Sequence, residues 1–250
     1  LSRILLFDIE NTPIITYAWG IHDEPTHSTK FVKKDWMIMC WAGKWLGEKK
    51  IITGDMWGQK DDSRLLKKLW NLLDKADVVV AHNGRKFDVR KANARFIQHK
   101  MSPPSPYRIV DTLIEARKYF MFTSNRLGDL GQYLGVGNKL ETGGFDLWID
   151  CMENKKSAQK KMIKYCIGDV VLLEKVYLKL RPYIKTHPSQ SLSEGLSCPK
   201  CGSENVGKRG QRRVVSGINQ EFCCKDCGGW GHLRVRNWTK KEREDIIKNA

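Results

Sequence analysis

Cys198-Pro199-Lys200-Cys201-Gly202 recurs as Cys224-Lys225-Asp226-Cys227-Gly228, with 22 residues between the inner cysteines. Two Cys-x-x-Cys-Gly knuckles at that separation leave this end of the chain few ways to fold. Each knuckle offers two thiolates, and four thiolates close a tetrahedral site suited to one structural Zn²⁺. A closed Cys₄ site has no open position for chemistry. The surrounding segment has little apolar core, so the metal is expected to supply much of its folding energy. Cys223 could stand in for Cys224, but the repeated Cys-x-x-Cys-Gly pattern favours Cys224. His232 is a weaker substitute. Five of the eight cysteines lie between Cys198 and Cys227, while Cys40, Cys151 and Cys166 are scattered. A disulfide framework would use them throughout. Clustering without a secretion signal points to metal in a reducing, intracellular (cytoplasmic) compartment.

The chain has 250 residues, 44 basic and 28 acidic, for a net charge of +16. An excess of this size favours a polyanionic partner, because Lys and Arg replace counterions condensed on phosphates. No run of 18 or more apolar residues occurs, so no membrane-spanning helix is expected.

The length allows a medium domain and a small one. Arg3 to Phe7 reads as a buried strand. Further strands are expected around Ile14 to Trp19, Trp36 to Trp41 and Lys50 to Thr53, as an antiparallel meander. Ser63 to Ala76 has helical periodicity, Asp77 to Ala81 is a buried strand, and Asn83-Gly84 turns into a helix from Phe87 to His99. Tyr107 to Val110 is a last strand, and the pattern is helical from there to about Leu180. This order fits an α/β fold, a mixed sheet flanked by helices. Pro188 to Ser193 is polar. The expected domains are residues 1–185, a linker at 186–197, and residues 198–250, ending in a charged helix from Thr239.

Three acidic motifs sit at informative places. In Phe7-Asp8-Ile9-Glu10, side chains two apart on a strand face the same way, so Asp8 and Glu10 project together. Two such carboxylates repel unless a cation lies between them. A strand ending in polar turn residues before Pro13 would explain them more simply. In His82-Asn83-Gly84-Arg85-Lys86-Phe87-Asp88 a strand feeds a turn and then a helix with Asp88 in its first turn. Acids are favoured there by the helix dipole alone. In Tyr165-Cys166-Ile167-Gly168-Asp169 a spacing of four puts Tyr165 and Asp169 on one helical face, which ordinary packing would also allow.

Taken together, the motifs resemble the three exonuclease motifs of the DEDD superfamily, whose fold is ribonuclease-H-like. Phe-Asp-Ile-Glu matches the first, Asn83 through Asp88 the second and Tyr165-x-x-x-Asp169 the third. The tyrosine marks the DEDDy subclass. The resemblance covers about residues 1 to 182 and is closest to proofreading domains of family-B DNA polymerases and to stand-alone phage exonucleases. It implies 3′→5′ exonuclease activity with two Mg²⁺ or Mn²⁺ ions. Asp8, Glu10 and Asp169 would hold the ion that activates water, Asp8 would bridge to the second ion, and Asp88 would reach that one. Tyr165 would orient the attacking water or assist its deprotonation. Ser124 to Leu130 resembles the segment that approaches the substrate 3′ end, which makes Asn125 and Arg126 candidate contacts. A helix start capped by Ser124 or Asn125 explains that stretch equally.

The C-terminal segment resembles the zinc ribbons of transposases and some phage proteins. That implies nucleic-acid binding through a basic hairpin at Lys208 to Arg213, with Arg209, Arg212 and Arg213 on phosphates. The implied substrate is single-stranded DNA, with replication or repair proteins as further partners. The Trp-rich stretch Asp35 to Gly47 suggests phage origin through the same resemblance. Three alternatives remain: an exoribonuclease, an inert nucleic-acid-binding protein, and a zinc-ribbon adaptor.

Overall fold

The structure is a computed structural model that describes residues 2–18, 29–191 and 196–244. Contacts divide it into two compact units, Arg3–Tyr177 and Leu178–Ala250 with Leu1–Ser2. Each is described by itself.

The first unit is built on a five-stranded mixed sheet. Its strands are β1 (Ile4–Asn11), β4 (Ile38–Trp45), β5 (Ile51–Asp55), β6 (Val78–Ala81) and β7 (Arg108–Asp111). They lie in the order β5-β4-β1-β6-β7. The β1–β4 and β4–β5 pairs are antiparallel, and β1–β6 and β6–β7 are parallel. β1 is therefore central. It also runs past Phe7, where the apolar run ends, and carries Asp8 and Glu10 within the paired strand. Pairing to β4 outweighs the polar character of this half. A register shift between Glu10 and Asn11 marks a bulge at its end, a device that re-aims side chains beside functional sites.

A two-stranded ladder, β2 (Ile15–Thr16) with β3 (Val32–Lys34), stands apart from this sheet. The expected strand at Ile14 to Trp19 is thus reduced to two exposed residues, and Trp19 lies outside the described residues. The remaining antiparallel meander, β1-β4-β5, is as expected.

Helices α1 (Ser63–Asp74) and α2 (Asp88–Gln98) supply apolar faces to one core. There Leu65, Leu66, Leu69 and Phe96 pack with Phe7, Ile9, Ile38 and Trp41. The Trp41 indole donates to the Leu65 carbonyl at 3.1 Å. Its ring takes the space that a Cβ at Gly54 would need, only 2.4 Å away, so glycine is required there. A buried polar lock fixes α1, α2 and β4 together. Asp62 accepts from the Arg95 guanidinium at 2.6 and 2.7 Å and from the Ile38 amide at 3.0 Å, with His99 at 2.8 Å. Breaking such a pair strands a buried charge.

The chain continues through α3 (Thr112–Tyr119), α4 (Leu127–Tyr133), α5 (Asp146–Met152) and the long α6 (Lys156–Leu180). Met162, Cys166, Val170, Leu173 and Val176 of α6 are buried. No helix among the described residues is long and apolar enough to cross a membrane.

The second unit centres on a three-stranded antiparallel sheet, ordered β10-β9-β8, from β8 (Val206–Val214), β9 (Gly217–Cys224) and β10 (Trp230–Asn237). The short α7 (Lys240–Glu244) follows, and the rest of the expected charged helix lies outside the described residues. Within the expected linker, buried Gln190 donates its amide to the Pro199 carbonyl at 2.9 Å, so that stretch docks on the first knuckle. Residues 192–195 lie outside the description.

Candidate active site and cysteine cluster

β1, α2 and α6 bring the expected acids together. Ligand oxygens of Asp8, Glu10 and Asp169 all lie within 4.8 Å of one another. Asp88, the first residue of α2, is 2% exposed and accepts the Ile9 amide at 3.2 Å, which ties it to β1 between Asp8 and Glu10. Asp8 and Glu10 share one face of β1 because the strand period is two. Their cross-strand partners are Ala42 and Cys40.

The second motif is positioned by a buried carboxylate that sequence reasoning missed. Asp111 ends β7 and caps α3, accepting from the Leu113 and Ile114 amides at 3.1 and 3.4 Å. It also accepts from the amides of Asn83 at 2.9 Å and Arg85 at 3.0 Å. That holds the turn before Asp88, where Asn83 adopts φ 66°.

Lys139, in the loop after α4, is a second residue that sequence reasoning missed. Its Nζ lies 2.8 Å from Asp169 Oδ2 and 4.8 Å from the Tyr165 ring centre. It also hydrogen-bonds the Tyr165 hydroxyl. The Tyr165 hydroxyl is pushed well above its ordinary pKa by burial, so it keeps its proton and serves as a donor.

The acids are under electrostatic stress. Burial first, and then the charges of Asp88, Glu10 and Asp169, lift Asp8 well above the usual carboxylate range. Burial and Asp169 raise Glu10 to about 8. Burial raises Asp88 to about 7 against its bond from Ile9, and raises Asp169 against the pull of Lys139. Among the described residues Lys139 is the cation that opposes the charge on Asp8, Glu10 and Asp169, and one ammonium cannot neutralise the cluster. Asp169 Oδ1 is buried with no hydrogen-bond partner among the described residues. Clustered hard oxygen donors, excess negative charge and an orphaned buried oxygen fit a divalent cation.

Cys166 lies directly behind this site, its Sγ 3.5 Å from the Asp8 carbonyl oxygen. His82 is desolvated, with its pKa lowered to about 4, and is therefore neutral. Its ring meets Thr112 Oγ1 at 2.9 Å and donates to the Asn125 backbone. The loop carrying Asn125 and Arg126 is thus anchored on the second motif. Neither expected cap forms there. Arg126 is the N-cap of α4, and no side chain caps the helix. Ser124 bonds Asp129 instead, because the chain enters α4 extended.

In the second unit the sulfurs of Cys198, Cys201, Cys224 and Cys227 lie within 4.8 Å of one another. The Cys198–Cys227 and Cys201–Cys224 separations are both 3.7 Å. A regular tetrahedron with Zn–S of about 2.3 Å has edges of about 3.8 Å, so the spacing fits zinc. Cys224 faces the cluster and Cys223, its strand neighbour, does not. His232 is also outside it. The knuckle glycines Gly202 and Gly228 adopt φ 77° and 73° and donate to the Cys198 and Cys224 carbonyls at 2.8 and 3.0 Å. That left-handed backbone explains why glycine follows each knuckle.

Lys208 to Arg213 is a single strand, β8, and not the expected hairpin. Gly210, at φ 105°, absorbs a register shift between Lys208 and Gln211, and the chain reverses after Val214. Arg209, Arg212 and Arg213 are exposed on β8. Arg212 pairs with Asn219 and Arg213 with Ile218. β10 sets Arg234 and Arg236 on the far side of the same two residues. Sequence reasoning missed this pair of β10 arginines.

The family model described as RNase_H superfamily matches residues 5–181. The chain belongs to the RNase H superfamily. The central mixed sheet flanked by helices is as expected for this superfamily. Among solved structures, the family B DNA polymerase from the hyperthermophilic archaeon Pyrobaculum calidifontis aligns with a TM-score of 0.54 at 16% identity. The alignment covers 73% of this chain and 26% of that one, so the chain spans about a quarter of the polymerase's length. This likeness is one of fold. No curated protein matches the chain. Membership in the RNase H superfamily supports a nuclease, a hydrolase acting on nucleic acid, and nucleases of this kind use divalent metals.

Proposed function

We propose that the chain is a 3′→5′ exonuclease of the DEDDy type, acting on single-stranded DNA. The observation that carries this reading is the convergence of Asp8, Glu10 and Asp169 oxygens within 4.8 Å, with Asp88 bonded to the same strand. Asp8, Glu10 and Asp169 would hold one Mg²⁺ or Mn²⁺, and Asp8 with Asp88 a second. When bound, the ions supply phosphate charge neutralisation and a more acidic attacking water. The chain's own residues do the rest. Asp169 accepts from Lys139, which fixes the carboxylate and keeps an ammonium beside the scissile phosphate. Tyr165, held protonated, orients the nucleophilic water by hydrogen bonding rather than by taking its proton. Asp111 holds the turn that delivers Asp88.

The four sulfurs would hold one structural Zn²⁺, and the arginines of β8 and β10 would contact phosphates without reading sequence. Binding of this kind suits a nuclease that removes nucleotides irrespective of base.

The test is a time course on 5′-labelled single-stranded DNA and RNA of one sequence, with Mg²⁺ or Mn²⁺, beside Asp8→Ala. The expected result is a ladder shortening from the 3′ end of DNA and absent in Asp8→Ala. Internal cuts, or equal activity in the variant, would overturn the reading. Preferential shortening of RNA would make the protein an exoribonuclease.

A further inference from the structure

An aromatic group, half-buried at Phe120 and Phe122 and exposed at Tyr133, lies after α3 and on α4. Phe120 and Phe122 stack at 4.9 Å with planes 17° apart. Tyr133 meets Phe122 edge-on at 5.1 Å. Tyr133 is 70% exposed, and Met121, between the two phenylalanines in sequence, is fully exposed. A large aromatic ring held rigid by half-buried neighbours yet itself open to water suits a ligand with a flat face of its own.

The charges around the group are complementary to phosphate. Arg117 and Lys118 in the last turn of α3, and Arg126 at the N-cap of α4, are exposed. Arg126 and Tyr133 lie seven residues apart and so share one face of α4, about 10 Å apart along its axis. Asp129, on the same face, is tied to Ser124. Aromatic rings next to a row of cations are the general form of a single-strand binding surface.

The group is also continuous with the carboxylate cluster. The loop before α4 is anchored on His82 through Asn125. At Gly128 of α4 an added Cβ would come within 3.2 Å of the Lys139 side chain. One short helix therefore carries the aromatic group at its C-terminal end and packs on the lysine that holds Asp169 at its N-terminal end.

We infer that Tyr133, backed by Phe122 and Phe120, is a stacking platform for an unpaired base of the strand whose 3′ end reaches Asp8, Glu10 and Asp169. Arg126 holds a phosphate between them. The occupant rests on the nuclease reading above. Stacking is tolerant of sequence because every base has a flat face, and it requires the strand to be single. The platform thus selects single over double strands at the entrance to the site.

The test uses the full chain carrying Asp8→Ala, so that nothing is cleaved. Binding of a fluorescein-labelled oligothymidylate and of an abasic strand of the same length is followed by anisotropy. Tyr133→Ala on this background is expected to weaken oligothymidylate binding about tenfold and leave the abasic strand unchanged. Tyr133→Trp is expected to restore it. An unchanged affinity for oligothymidylate, or an equal loss for both strands, would overturn the inference and leave the aromatic group as a protein-docking face. Failure of the unsubstituted chain to cleave DNA bears on the nuclease reading alone, since the binding contrast needs no cleavage.

Discussion

The two polar clusters of this protein are built in opposite ways. The carboxylates are projected by elements that a large apolar core already holds: β1 at the centre of the sheet, α2 and α6. The core fixes the acids in place at an electrostatic cost. Lys139 cannot neutralise the cluster, and burial lifts the pKa values of its four carboxylates. The cysteines sit in turns and at the end of β9, in a three-stranded sheet whose outer strands are mostly exposed. Among the described residues from 196 on, Cys198, Phe222 and Cys224 are the buried apolar side chains, so the sulfurs are themselves a large part of the interior around the sheet. A cation at the first site would relieve strain in a fold whose core does not depend on it. A cation at the second would complete the fold. The first arrangement suits exchangeable ions and catalysis, and the second suits a permanent structural ion.

The largest expected effect separates the two directly. Replacing Cys198 by Ser, or stripping the metal with a thiol-reactive agent, should unfold the second unit. Structural zinc contributes about 10 kcal/mol or more of apparent folding free energy in small modules. Hydrogen exchange should then show amides of residues 198–237 unprotected, while β1 and β6 stay protected. Equal loss of protection in both units would erase the distinction.

A smaller effect concerns pH. Glu10 and Asp88 have native pKa values of about 8 and 7, above those of an unfolded chain near 4. The native state therefore binds more protons than the unfolded state between about pH 4 and 8, and stability falls as pH rises through that window. Without added Mg²⁺, the melting temperature of the first unit should drop from pH 5.5 to pH 8. Added Mg²⁺ should recover more of it at pH 8 than at pH 5.5. A melting temperature that rises with pH would mean that the acids are not strained.

The smallest effect tests the exposed arginines. Arg212→Glu with Arg213→Glu should weaken binding to single-stranded DNA and reduce its logarithmic salt slope by about 1 to 2. An unchanged slope would separate the second unit from substrate.

The parts of this architecture that sequence reveals are those fixed by local periodicity. Asp8 and Glu10 are two apart on a strand, Asp88 opens a helix, Tyr165 and Asp169 are four apart on another, and the knuckles repeat. Each spacing dictates a shared face before any tertiary contact forms. What sequence does not reveal depends on contacts between distant segments. Lys139 reaches Asp169 from a loop 30 residues away, with no periodic pattern to mark it. Asp111 serves the turn at Asn83 only because β6 and β7 pair. The Asp62–Arg95 lock and the juxtaposition of Arg234 with Arg212 likewise follow from packing and strand order. The expected hairpin at Lys208 to Arg213 failed for a related reason. A glycine between basic residues suggests a turn, but here its positive φ makes a bulge in a continuing strand.

The central claim is that Asp8, Glu10, Asp88 and Asp169 together hold divalent cations, with Asp8 common to both ions. Its most direct test is calorimetric titration of the zinc-loaded full chain with Mn²⁺ at pH 8, beside Asp8→Ala. Binding by the parent protein with loss of at least the tighter site in Asp8→Ala, the second unit remaining folded, is the expected result. Identical Mn²⁺ binding by both proteins, or none by either, would contradict the account.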